Sequence, residues 1–89
     1  MRRRYLVEGD VQGVGFRYFA VRLAQRLGIR GWVRNLPDGS VEAVGEGTPE
    51  QLTQFESGLR RGPTMATVTS LRDAEATDDG EGFASFSIR

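Results

Sequence analysis

The chain has 89 residues, a size that suits one domain with a single core. It contains no cysteine and no histidine, which excludes disulfides, thiolate metal sites and any Ser-His-Asp or Cys-His mechanism within this chain. The formal net charge is zero, which argues against a general nucleic-acid binder, and no apolar segment is long enough for a signal peptide or a membrane span. We therefore expect one soluble domain over residues 1–89, cytoplasmic and monomeric.

Basic residues are concentrated in the first third of the chain. Residues 1–34 contain eight arginines and two carboxylates, whereas the remainder contains four arginines and ten carboxylates. The first third is therefore a local anion-attracting region. Every basic residue is Arg, whose guanidinium group suits phosphate and carboxylate oxygens, although codon bias gives the same composition.

A strand and then a helix are predicted first along the chain. Tyr5–Gly9 reads as a strand, and an apolar stripe with helical spacing begins at Phe16 and continues to Leu27. Gly28 follows at the position where a helix favours a left-handed residue. We interpret the stripe as core.

Residues 31–35 and 40–46 predict two strands joined by the turn sequence LPDG, and therefore a hairpin. Because strand side chains alternate between faces, Gly31, Val33 and Asn35 share one face of the first strand, and Trp32 and Arg34 share the other.

The second half of the chain predicts a helix followed by closing strands. TPEQ, residues 48–51, places a Thr cap, a first-turn proline and the glutamine of a capping box at a helix start. Residues 64–73 and 83–89 predict strands on either side of an acidic loop, residues 74–82. The order βαββαβ predicts an α+β ferredoxin-like sandwich, an antiparallel sheet with two helices on one face.

The connection between the first strand and the first helix reads DVQGVGFR, residues 10–17. Gly13 and Gly15 allow backbone N–H groups to converge at a helix N-terminus, an arrangement that binds anions, and Arg17 adds a charged group in the first turn. A tight strand-to-helix turn explains the glycines equally well. The loop is neither a P-loop nor a dinucleotide fingerprint, since Tyr18 stands where the third glycine of the latter belongs.

Two longer motifs carry a resemblance to a known family. GDVQGVGFR, residues 9–17, and GWVRNLPDGSVE, residues 31–42, resemble the two signatures of the acylphosphatase family. Their separation, the intervening helix, GEGTPE before the second helix and FSIR at the end fit as well, so the resemblance covers nearly the whole chain. It implies hydrolysis of acyl phosphates, the mixed anhydrides of a carboxylic acid and phosphate, on a ferredoxin-like fold without metal or cofactor.

The resemblance also implies roles for particular residues. Asn35 positions the attacking water, and Arg17 binds the phosphoryl group together with backbone amides of the loop. By itself, Asn35 is better explained as the residue that starts the turn, but beside the loop and Arg17 the catalytic interpretation is favoured. Asp10 departs from the family pattern, and a carboxylate there weakens phosphate binding unless it points to solvent. The phosphate-binding loop comprises Gln12, Gly13, Val14, Gly15, Phe16 and Arg17.

A small-molecule acyl phosphate is then the expected substrate, and inorganic phosphate is the expected product and competitive inhibitor. An acyl phosphate also suits a chain without histidine. Its leaving group is a carboxylate with a conjugate acid of pKa about 4 to 5, which departs without a proton donor. Positioning and charge stabilisation then remain to be supplied.

Three alternative functions are compatible with parts of the sequence. A metal site is suggested by a group of nearby carboxylates, Asp73, Glu75, Asp78, Asp79 and Glu81. Their spacing does not fit a calcium loop, and a solvated acidic loop is more usual. An RNA-recognition module shares the topology but needs exposed aromatics on central strands, for which Trp32 is one candidate. A non-catalytic anion-binding domain, like the acylphosphatase-like segment of a hydrogenase maturation carbamoyltransferase, is the third, although the chain reads as free-standing. No nucleic acid, membrane or cofactor is expected as a partner.

Overall fold

The computed structural model describes residues 1–76 and 82–89. The predicted order of elements is confirmed, with two strands after the second helix. The elements are β1 (Arg2–Asp10), α1 (Phe16–Leu27), β2 (Arg30–Asn35), β3 (Val41–Glu46), α2 (Pro49–Arg61), β4 (Thr67–Glu75) and β5 (Phe86–Ile88).

Both helices begin and end where the sequence signals place them. Helix α1 spans the apolar stripe and ends at Gly28, which has a left-handed backbone with φ of 77°. Helix α2 starts after Thr48, whose side chain accepts a hydrogen bond from the Gln51 amide, while the Gln51 side chain accepts one from the Thr48 amide. The predicted capping box is therefore present.

The five strands form one sheet in the order β4-β1-β3-β2-β5. β1 runs antiparallel to β3 and β4, β2 runs antiparallel to β3, and the short β5 runs parallel to β2. The ferredoxin-like α+β fold is confirmed, and β5 adds one parallel pair to an otherwise antiparallel sheet. Because β1 and β2 both oppose β3, they are parallel to each other and end at the same edge of the sheet.

The core lies between the two helices and one face of the sheet. Tyr5 of β1, Phe55 of α2 and Phe86 of β5 form a chain of edge-to-face ring contacts, with both centroid distances at 5.6 Å. Phe16 of α1 is buried at one end of this layer. The elements that carry the candidate site are therefore held in place by the core.

Two strand boundaries differ from their predictions. β1 begins at Arg2, not Tyr5, because Arg2 pairs with Glu46 on β3 at 2.8 Å and Arg3 pairs with a carboxylate of β4. These long-range pairs cannot be read from a local pattern. β4 begins at Thr67, not residue 64, because the Ala66 amide donates to the Pro63 carbonyl at 3.0 Å and the segment turns first.

The acidic loop and the last strand also differ from prediction. Ala74 and Glu75, assigned to the loop, belong to β4. Residues 77–81 of the predicted loop lie outside the described residues. β5 is limited to Phe86–Ile88, and Phe83 instead packs its ring against the guanidinium of Arg2, 4.4 Å from the ring centroid.

Gly9 forms a bulge near the end of β1. The register with β4 shifts between Glu8 and Gly9, so Gly9 is exposed and does not share the buried face of Tyr5. Its φ is 130°, and a Cβ atom there would lie 2.1 Å from the Thr67 carbonyl oxygen. Glycine is required for this close approach, which redirects the chain into the loop before α1.

Candidate active site

The loop between β1 and α1 owes its shape to two glycines. Gly13 and Gly15 have left-handed backbones with φ of 75° and 78°. A Cβ atom at either position would meet no atom of the described residues within 4 Å. The glycines are therefore required by backbone conformation, and the space above them is open to a ligand.

Helix α1 begins without a cap. Gly15 is its N-cap residue and supplies no side-chain hydrogen bond, and the first turn of α1 contains no acidic residue. The first intrahelical bond runs from the Phe19 amide to the Gly15 carbonyl at 3.0 Å. Helix α2, in contrast, has a full capping box and Glu50 in its first turn. The first-turn N–H groups of α1 are thus directed at whatever occupies the open space, as in anion sites at helix N-termini.

Three loop side chains have separate positions. Arg17 is exposed, and within residues 1–76 and 82–89 its guanidinium makes no ion pair or side-chain hydrogen bond. Phe16 is 2% exposed and packs in the core, so only its backbone faces the loop. Val14 is half-buried and packs against the same core, which anchors the loop between the two glycines.

Asn35 ends β2 at the edge of the sheet next to the loop. It lies opposite Val41 of β3, and Val7 of β1 lies opposite the same residue. Val7 and Asn35 are thus two strand spacings apart, about 10 Å. The Oδ1 atom of Asn35 is buried and has no hydrogen-bond partner among the described residues.

Gln12 connects the loop to the hairpin. Its Nε2 atom donates to the Leu36 carbonyl at 2.8 Å and to the Ser40 carbonyl at 2.9 Å. Leu36 directly follows Asn35, so the tie brings the loop beside the strand end that carries the buried amide oxygen. The structure therefore assembles the loop, the N-terminus of α1 and Asn35 at one edge of the sheet.

The Gln12 side chain is the site feature that sequence reasoning missed, since Gln12 was assigned only a backbone role. A polar residue before a left-handed glycine suggests a loop. The acceptors of its side chain lie 24 and 28 residues away, and no local pattern points to them.

Two carboxylates, Asp10 near the loop and Asp73 on β4, lie apart from each other. Asp10 is exposed at the end of β1, where it lies opposite Thr67 of β4. Asp73 is paired with Arg3. In residues 1–76 and 82–89 no three histidine, cysteine or acidic residues form a cluster able to hold a metal ion. Asp78, Asp79 and Glu81 fall outside that part.

The open face of the sheet bears on the RNA-binding alternative. Its aromatic residue, Trp32, lies on β2 and not on the central β3, whose sequence VEAVGE has no aromatic residue. The Trp32 ring is contacted by the guanidinium groups of Arg34 and Arg89, at 5.2 and 5.0 Å from its centroid. This arrangement lacks the aromatic platform on central strands that RNA-recognition modules use.

Comparison with known proteins shows which family the chain belongs to. The acylphosphatase family model matches residues 3–88. The acylphosphatase of Pasteurella multocida is 44% identical over 89 residues, which cover 100% of this chain and 98% of the relative. The crystal structure of acylphosphatase from Bacillus subtilis superposes with a TM-score of 0.92 at 39% identity, covering 99% of this chain and 97% of that one.

A segment of a larger protein has the same fold. The structure of HypF from T. kodakarensis matches with a TM-score of 0.87 at 32% identity, covering 100% of this chain but 12% of HypF. No helix among the described residues is long and apolar enough to cross a membrane. The family match over residues 3–88 and the near full-length similarity to curated acylphosphatases show that this chain belongs to the acylphosphatase family and is a hydrolase.

Proposed function

We propose that the chain hydrolyses small-molecule acyl phosphates to a carboxylate and inorganic phosphate at this edge of the sheet. Backbone amides of residues 12–17 and the guanidinium group of Arg17 bind the phosphoryl oxygens. The side-chain amide of Asn35 orients the attacking water and holds it in line with the phosphorus atom.

The observation that carries this proposal is the uncapped N-terminus of α1 and its glycine loop, which the hydrogen bonds from Gln12 tie to the hairpin beside Asn35. The helix end and the left-handed glycines supply donors for an anion. Asn35, at the end of β2 next to this loop, supplies a polar side chain that can orient a water.

The reaction balances without a histidine or a proton donor. The water oxygen bonds to phosphorus, the bond from phosphorus to the acyl oxygen breaks, and the electron pair leaves on the carboxylate. Both protons of the water end on the phosphate product. Because the carboxylate has a conjugate acid of pKa about 4 to 5, it needs no protonation on departure.

This mechanism predicts selectivity for acyl phosphates over phosphate monoesters, whose alkoxide leaving groups require an acid that this site does not offer. Hydrolysis of benzoyl phosphate and of an alkyl monoester such as glycerol phosphate should be compared in the presence of EDTA. We expect rapid turnover of benzoyl phosphate and little of the monoester. Comparable rates on both, or activity that requires added metal, contradict the proposal.

Inorganic phosphate is the product and fits the same binding groups. It is therefore expected to inhibit competitively and to raise the thermal midpoint, because a ligand that binds only the folded state stabilises it by mass action.

A further inference from the structure

The proposed mechanism does not use the side chain of Gln12. Its one amide nitrogen spends both hydrogens on two backbone carbonyls of another element, at 2.8 and 2.9 Å. The side chain is part-buried. Both donors are therefore committed, and the side chain has no N–H left for a phosphate.

The two acceptors of Gln12 frame the hairpin turn that follows Asn35. The turn is already closed by the Leu36 amide donating to the Ser40 carbonyl at 2.9 Å and the Gly39 amide donating to the Leu36 carbonyl at 3.2 Å. Gln12 adds a second donor to each of these two carbonyls. It therefore clamps the turn from outside and contributes nothing that the turn needs for its own closure.

The clamp lies on the turn side of the pair formed by Asn35 and Val41. Leu36 directly follows Asn35 at the end of β2, and Ser40 directly precedes Val41, the residue opposite Asn35 in β3. Gln12 is also the first residue of the phosphate-binding loop, directly before the left-handed Gly13. One carboxamide thus links the backbone that is proposed to hold the phosphoryl group to the strand end that is proposed to hold the water.

We infer that Gln12 is a positioning residue: its carboxamide sets the distance between the loop amides and Asn35, and so controls the catalytic step without its side chain touching the substrate. This inference rests on the proposed function. In-line attack tolerates little displacement, since a shift of about 1 Å costs about 100-fold in rate. Loss of the clamp is therefore expected to affect turnover more than phosphate affinity.

The test is a double-mutant cycle between Gln12→Met and Asn35→Ala. Methionine keeps the length of the side chain and removes both donors. Gln12→Met is expected to lower kcat on benzoyl phosphate by about 10- to 100-fold while the Kd for inorganic phosphate changes less than about threefold. If Gln12 acts through Asn35, the double variant is no slower than Asn35→Ala alone, because residues that act as a unit are not additive.

Gln51→Met provides a matched control. The Nε2 atom of Gln51 also donates to a distant backbone carbonyl, that of Leu27 at 2.9 Å, but at the opposite end of β2 from Asn35. This variant should lose stability to urea with kcat unchanged. If Gln12→Met behaves in the same way, the role of Gln12 is only structural and the inference is wrong. Additive losses in the double variant, or a loss of phosphate affinity that matches the loss of kcat, also overturn it.

A second measurement does not depend on turnover. In a phosphate titration followed by NMR, the wild-type protein should show shifts at the loop amides and at the Asn35 side-chain amide. In Gln12→Met the loop amides should respond while the Asn35 response is lost. Retention of the Asn35 response contradicts the inference. Absence of benzoyl phosphate hydrolysis by the wild-type protein instead contradicts the proposed function, so the two failures are distinguishable.

Discussion

Glu42 is a carboxylate on the open face of the sheet that two arginines hold in its charged form. Its side chain is 6% exposed and bonds Arg34 at 2.7 Å and Arg4 on the other side. Burial raises the pKa of Glu42, but the hydrogen bonds from Arg4 and Arg34 outweigh burial and leave the pKa below its ordinary value of 4.5. The folded state therefore favours the ionised carboxylate.

Replacing Glu42 by glutamine should destabilise the protein at neutral pH. Both arginines are about half exposed, so solvent screening limits the loss to about 1 kcal/mol. Because the folded pKa is lowered, the stabilisation is complete above pH 4.5 and is lost as the pH falls through the folded pKa. Urea unfolding at pH 7 and at pH 3 should show a larger difference between wild type and Glu42→Gln at the higher pH.

Glu56→Gln is the matched control, since Glu56 forms an exposed pair with Arg60 at 3.4 Å on α2. It should change stability by less than about 0.5 kcal/mol at both pH values. If the stability difference between wild type and Glu42→Gln is as large at pH 3 as at pH 7, the stabilisation does not come from the charge of Glu42.

Single residues differ in how far the sequence reveals them. Arg17 and Asn35 are predicted as site residues because they occur in recognisable motifs next to turn signals. The Gln12 clamp and the Glu42 pairs were not predicted, since each depends on which strands become neighbours. Such contacts follow from the order and register of the strands, and a local sequence pattern predicts neither the order nor the register.

At the scale of elements, the two ends of α1 are built alike but serve different purposes. Gly15 and Gly28 flank the helix with φ of 78° and 77°. At Gly28 the cap amide donates to the carbonyls of the last turn, whereas no side chain caps the start of α1 and a Cβ atom at Gly15 would meet no described atom within 4 Å. The same backbone conformation thus closes one end of the helix and opens the other.

Replacing each of these glycines by alanine should separate the two purposes. Alanine in a left-handed conformation costs about 1 kcal/mol, so Gly15→Ala and Gly28→Ala should lose similar stability. A Cβ atom at Gly28 would meet only the Gln51 side chain, at 3.1 Å, whereas one at Gly15 would meet no described atom within 4 Å. In the proposed function, the space beside Gly15 is the phosphate site.

Calorimetry should therefore find phosphate binding weakened several-fold in Gly15→Ala and unchanged in Gly28→Ala. Equal phosphate affinity in the two variants contradicts an amide-lined site at the start of α1.

Elements with local signals were predicted well, and those that depend on partners were not. Both helices have apolar stripes and end at a glycine, and α2 also has a capping box, so their bounds follow from residues 15–28 and 48–62 alone. The strand ends follow from pairing: β1 starts at Arg2 because its arginines meet carboxylates on both neighbouring strands. That information is spread across the whole chain.

At the scale of the molecule, topology is what brings the site together. β1 and β2 lie on either side of β3 and run in the same direction, so the loop after β1 and the end of β2 meet at one edge although Arg17 and Asn35 are far apart in sequence. The ferredoxin-like fold was predicted from the order of elements, whereas the pairing of Arg17 with Asn35 was predicted from the family resemblance. The hydrogen bonds by which Gln12 ties the loop to the hairpin were not predicted.

In the proposed mechanism Arg17 binds the phosphoryl group and Asn35 positions the water. One paired measurement on variants of these two residues tests whether binding and water positioning are separate roles. The phosphate Kd should be determined by calorimetry, and kcat on benzoyl phosphate measured, for Arg17→Ala and Asn35→Ala, with circular dichroism to verify the fold. Arg17→Ala should weaken phosphate binding and lower kcat/KM, because the guanidinium contacts the phosphoryl oxygens throughout the reaction. Asn35→Ala should bind phosphate nearly as well as wild type and lose about 100-fold or more in kcat. If Asn35→Ala loses phosphate binding as severely as Arg17→Ala, or turns over normally, the assignment of the water to Asn35 is wrong.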